Sequence, residues 1–140
     1  MSAYIPVGLQ RQIREQFCDR CAYCQTAESL TAATFEFEHI VPRSAGGETT
    51  WFNLCFACPT CNRCKAERQT FVDPVTGEQV ELFHPQRQKW SEHFSWSDDG
   101  ITLLGKTPTG RATIAALRIN RPQLVRVRGL WIKLGEHPPR

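Results

Sequence analysis

The sequence predicts an α+β fold: two short strands and a helix clamped by cysteines, preceded by an N-terminal helix and followed by a C-terminal hairpin plus two helices. Three observations predict it. The seven cysteines fall into two clusters, Cys18-Cys21-Cys24 and Cys55-Cys58-Cys61-Cys64, each spaced three residues apart. Between the clusters, FEFEHIV at 35–41 alternates with the two-residue period of a strand. Near the C-terminus, 110–119 and 122–134 read as two helices broken at Pro122, which suits the first helical position.

The elements follow in order. Residues 6–17 form an amphipathic helix, with Pro6 in its first turn and Leu9, Ile13 and Phe17 on one face. Cys18 to Cys24 is a tight turn. In the strand at 35–41, Phe35, Phe37 and His39 lie on one face and Glu36, Glu38 and Ile40 on the other, and Pro42 ends it. Gly46 and Gly47 make a turn into a second apolar segment, Trp51 to Ala57, which carries Asn53. Pro59 opens a helix over 59–68 that holds Cys61, Asn62 and Lys65 in its first two turns. DPVTGE at 73–78 is a turn and a boundary, giving a core at 1–72 and an extension at 73–140 packed on it. Asp99-Gly100 turns a hairpin within SWSDDGITLL. In the last helix Leu124, Val127, Trp131 and Leu134 trace an apolar stripe, with Arg126, Arg128 and Lys133 elsewhere on its surface.

Composition narrows the class. Hydrophobic residues make up 41% and charged residues 22% of 140, as expected of a globular domain. No apolar run reaches the roughly 18 residues that span a bilayer, so no membrane is expected. MSAYIPVGLQRQ lacks the apolar core of a signal peptide, so a cytoplasmic protein with reduced or metal-bound thiols is expected, rather than a disulfide framework. The net charge of +3 is uneven: residues 1–110 hold 10 Lys/Arg against 13 Asp/Glu, and 111–140 hold 7 against Glu136 alone. Such a basic segment draws a polyanion, unless it is simply a solvated helix face.

Two Cys-x-x-Cys pairs present four thiolates to Zn²⁺ in tetrahedral geometry. Spacing alone does not choose among the overlapping pairs, although Cys58 and Cys61 flank the predicted helix start and make a more natural knuckle than Cys61 and Cys64. Zinc is preferred to a disulfide, a redox pair or an iron–sulfur cluster.

FEFEHIVPRSAGG–TTWFNLCFACPTCNRCK is similar to the HNH endonuclease family, in its four-cysteine zinc-binding ββα-metal subgroup. The matching positions are Glu38-His39, Pro42-Arg43, Gly46-Gly47, Asn53-Leu54 and Cys58 through Lys65. The upstream CAYC resembles the family's first knuckle, which selects Cys21 and Cys24 over Cys18. Asn62 stands where the family's third letter is His, and Glu38 where Asp is more usual. LFHPQRQKWSEHF and TPTGRATIAALRINRP resemble the tails of bacterial, notably cyanobacterial, members.

The resemblance implies a metal-dependent endonuclease that hydrolyses double-stranded DNA. In that chemistry His39 is the general base and Asn53 orients it. Glu38 and Asn62 offer oxygen ligands to a catalytic Mg²⁺ or Mn²⁺, beside a structural Zn²⁺ on Cys21, Cys24, Cys58 and Cys61. Arg43, Arg63 and Lys65 are candidate contacts to the nucleic-acid backbone. A common ion requires the strand to twist so that Glu38 and His39, on opposite faces by alternation, both reach it. The alternative is a zinc-stabilised DNA-binding module with weak or no catalysis.

Overall fold

A computed structural model describes residues 4–139. The fold is α+β, built from helices and three separate antiparallel strand pairs. It divides into two compact units. One comprises the described residues up to Gln69 together with His84–Gln88; the other comprises Thr70–Phe83 and the chain from Lys89 onward. Among the described residues no helix is long and apolar enough to cross a membrane.

In the first unit, α1 spans Val7–Gln16 with Pro6 just outside it. Strand β1 (Glu36–His39) pairs antiparallel with β2 (Leu54–Ala57), placing Phe37 opposite Phe56, Glu38 opposite Cys55 and His39 opposite Leu54. The strands are shorter than the apolar patterns suggest, because Pro42 and a helical turn at Trp51–Asn53 end the pairing. Helix α2 (Pro59–Lys65) has proline in its first turn, and Cys58 Sγ accepts from the Cys61 backbone N–H. It stops three residues early, where Ala66 takes a positive φ of 49°. Helix α1 packs on β2 and α2 on β1. The Arg14 guanidinium sits 4.6 Å over the Phe56 ring, and the Ala22 N–H donates to Phe56 O at 2.8 Å. The Cys21–Cys24 turn is thereby fastened to the hairpin.

In the second unit, β3 (Thr70–Val72) and β4 (Gln79–Glu81) form a hairpin missed by the sequence reading, since DPVTGE is its turn. Asp73 organises that turn, accepting from Val75 N–H and Thr76 Oγ1, while Arg111 grips both its oxygens at 2.8 and 2.9 Å. Short α3 (Trp90–His93) leads into β5 (Phe94–Trp96), which pairs with β6 (Leu103–Gly105). The connecting turn is longer than Asp99-Gly100 alone: Ser97 N–H donates to Thr102 O, with Gly100 at φ 77°.

Helix α4 (Pro108–Leu117) begins two residues before the predicted start because Thr107 caps it, accepting from the Gly110 N–H. A Cβ at Gly110 would meet His93 O at 2.1 Å, so α4 sits directly against the α3–β5 backbone. In α5 (Pro122–Lys133) the buried residues are Leu124, Arg128 and Trp131. The predicted stripe is corrected here, for Leu134 is exposed. Arg128 takes a place in the interior because it donates to the carbonyls of Ile101 and Ile119 and to Asn120 Oδ1. With Arg128 buried and Arg111 paired, the basic segment has a smaller free surface charge than its composition suggests, although Arg126 remains exposed.

Candidate metal centre and strand-end histidine

The sulfurs of Cys21, Cys24, Cys58 and Cys61 converge, all within 4.8 Å of one another and all buried. Zinc–sulfur bonds of about 2.3 Å place tetrahedral ligands about 3.8 Å apart. The Cys24–Cys58 sulfur separation is 3.8 Å. Donor set and spacing therefore fit Zn²⁺. Two unrelated backbone devices bring the pairs together: the turn fastened to Phe56 O, and the start of α2. The other cysteines lie outside this cluster. Cys18 is exposed, Cys64 is partly exposed, and Cys55 is buried beside Glu38 and the Tyr23 hydroxyl.

His39 stands at the end of β1, half-buried, with Nε2 2.9 Å from Thr49 Oγ1. Partial burial, and then the positive charge of Arg43, hold its pKa below the ordinary 6.5. The imidazole is therefore neutral at pH 7, in the form that accepts a proton.

Asn53 does not reach the ring; it ties the backbone beyond it. Its Oδ1 accepts from Val41 N–H at 2.8 Å, and its Nδ2 donates to Val41 O at 3.0 Å and Glu48 O at 2.9 Å. This one amide closes the 41–53 loop that carries Thr49 back to His39. Gly47 permits the closure, since a Cβ there would lie 1.8 Å from Val41 O.

Glu38 keeps the strand's alternation and points away from His39, 5% exposed. The twist expected to bring both to one ion is absent. Lys65 Nζ meets Glu38 Oε1 at 2.8 Å and donates to Ile40 O at 2.8 Å, with Tyr23 OH and Cys55 Sγ also donating to the carboxylate. Burial pushes the Glu38 pKa up and Lys65 opposes it. Two expectations are corrected. Glu38 is an interior ion-pair partner rather than a group turned toward a hydrated cation. Lys65, 1% exposed, is its counter-ion rather than a surface phosphate contact.

On the same strand face but at its exposed end, Asn62 Nδ2 donates to Glu36 Oε1 at 2.9 Å. Sequence reasoning missed Glu36. The signal was present, because Glu36 shares the alternation face of Glu38 and the helix places Asn62 one turn before Lys65. Arg43 and Arg63 are exposed, as a backbone contact requires.

Residues 21–68 match the family model described as HNH endonuclease. The curated Septu protein PtuB of Bacillus mycoides (strain KBAB4) is 25% identical over 152 residues, an alignment that covers 90% of this chain and 51% of the relative. The chain thus spans about half the length of the curated relative it matches. No solved structure matches significantly. Together with the converged thiols and the hairpin-and-helix geometry, the match marks residues 21–68 as an HNH endonuclease domain.

Proposed function

We propose that the first unit is a metal-dependent endodeoxyribonuclease of one catalytic cation, with His39 as general base. Proteins of the HNH family are generally nucleases, which implies a nucleic-acid substrate; double-stranded DNA is the substrate proposed. The observation that carries the reading is the setting of His39: half-buried at the end of β1 and bonded to Thr49, with desolvation and the Arg43 charge holding its pKa down.

In the tautomer that carries its proton on Nε2 and donates it to Thr49 Oγ1, the ring keeps a lone pair on Nδ1. That nitrogen takes the proton of a water as the water oxygen attacks phosphorus and the bond to the 3′-oxygen breaks. The departing 3′-oxygen takes a proton from solvent water, so the products are a 5′-phosphate and a 3′-hydroxyl, and His39 returns its proton to solvent. Asn53 holds the loop that keeps the ring in place. Glu36 and Asn62, which bond one another on the strand face opposite His39, are not placed to share a cation with it. A Mg²⁺ or Mn²⁺ ion bound beside His39 through phosphate oxygens and water would neutralise charge on the phosphate and stabilise the departing oxygen. Arg43 and Arg63 contact the flanking phosphates.

The test is supercoiled plasmid incubated with a series of divalent metals. Wild-type protein nicks it with Mg²⁺ or Mn²⁺; His39→Ala abolishes nicking and retains zinc. Undiminished nicking by His39→Ala refutes the base, and an inert wild type leaves a zinc-stabilised binding module.

A further inference from the structure

Trp51 and Phe52 form the helical turn leading into β2, and their side chains are 43% and 48% exposed. Two large rings side by side in water forgo the burial that stabilises aromatic residues elsewhere in the chain. Their centroids lie 6.3 Å apart, the His84 ring lies 6.1 Å from Phe52, and the Arg87 guanidinium sits 5.8 Å over Phe52. The backbone beneath is fixed. Gln86 Nε2 donates to Trp51 O and Leu54 O at 3.1 and 2.9 Å, and Gln86 exchanges amide hydrogen bonds with Gln16 at 2.7 and 2.9 Å. The rings are thus exposed on a held backbone.

In the chain this pair lies between two residues tied to the His39 end of β1. Thr49, bonded to the imidazole, precedes Trp51 by two residues, and Asn53, which pins Val41, follows Phe52. Exposed Arg87 and Arg43 add positive charge. Aromatic faces accept any base by stacking, and arginines neutralise the phosphates between bases. A duplex hides its base faces within the stack, whereas unpaired nucleotides expose them. An apolar protein partner would have to cover the Arg87 charge, so the cations favour a polyanion.

We infer that Trp51 and Phe52, with Arg87, form a stacking platform for unpaired nucleobases, so that the double-stranded DNA proposed as substrate is engaged where a few bases are unpaired beside the phosphate to be cut. The last clause rests on the nuclease reading; the platform itself does not.

The experiment uses the zinc-loaded full-length His39→Ala protein, which binds without cutting. Anisotropy compares a labelled oligothymidylate of about 20 nucleotides with a blunt duplex of similar length. The oligothymidylate binds more tightly and quenches the fluorescence contributed by Trp51. Adding Trp51→Ala weakens its binding about tenfold, whereas Trp51→Phe retains binding and duplex affinity does not change. Equal loss on both ligands, or no loss, overturns the platform. So does a Trp51→Ala protein that sediments as a smaller species while binding oligothymidylate normally, since the patch is then a contact between protein chains. Plasmid nicking by the wild type reads the nuclease separately: a platform that persists in a non-cleaving protein stands without it.

Discussion

His39 and Glu38 are adjacent in the chain and differ in what surrounds them. Glu38 is enclosed, with its carboxylate met by Lys65 and its pKa pushed up by burial. His39 is half in water, and desolvation together with Arg43 moves its pKa below 6.5. A general base acts in its neutral form, and that form accumulates as pH rises through the folded pKa. If His39 is the base, as proposed, the acid limb of kcat/KM for plasmid nicking has its midpoint below pH 6.5, with a plateau through neutrality. Arg43→Gln removes a charge that disfavours the imidazolium, so the limb moves to higher pH in that variant. A pH profile of both proteins at saturating metal checks the pair. A limb that stays in place after the Arg43 change removes Arg43 from the environment of the base.

At the scale of elements, one buried ion pair couples β1 to α2. Lys65 reaches from the end of the helix to Glu38 and to Ile40 O, and so fixes the strand immediately after His39. Lys65→Met leaves a carboxylate in an apolar interior, at a cost of about 3–5 kcal/mol. Glu38→Gln with Lys65→Met removes both charges and recovers a large part of that loss. Urea unfolding of the two single variants and the double variant measures the coupling. A loss below about 1 kcal/mol for Lys65→Met means the pair is hydrated rather than buried. The same contact explains what could be read in advance. Alternation placed Glu38 and His39 on opposite faces, but which face would be covered depended on a lysine 27 positions later, on another element. Arg128 repeats the lesson: helical periodicity placed a charge on a surface, and the Ile101 carbonyl together with two acceptors in the turn before the helix made it interior. Thiolate pairs, glycine turns and proline starts are local and were legible. The Glu36–Asn62 meeting, the pinning of Val41 by Asn53 and the β3–β4 hairpin depend on how segments pack.

In the whole molecule, the metal ligands and the apolar core are unequally shared. All seven cysteines belong to the unit of residues up to Gln69 and 84–88; the other unit has none and is built on Phe83, Phe94, Leu103, Leu117, Ile119 and Trp131. Two strands of four residues, a helix of seven and the ten-residue α1 form a small core for the first unit. A structural zinc supplies on the order of 10 kcal/mol or more of folding free energy, which is comparable to the whole stability of a small domain. Among the described residues the second unit has no such thiolate cluster, and Asp73 with Arg111 joins its hairpin to α4. Chelation, or Cys58→Ser, therefore unfolds one unit and spares the other. Hydrogen exchange after zinc removal exposes the amides of β1, β2 and α2 while those of α4 and α5 stay protected, and the wild type releases one zinc per chain. Simultaneous loss of protection in both units makes the chain a single cooperative body, and unchanged protection in β1 and β2 shows that the thiolates hold no structural metal.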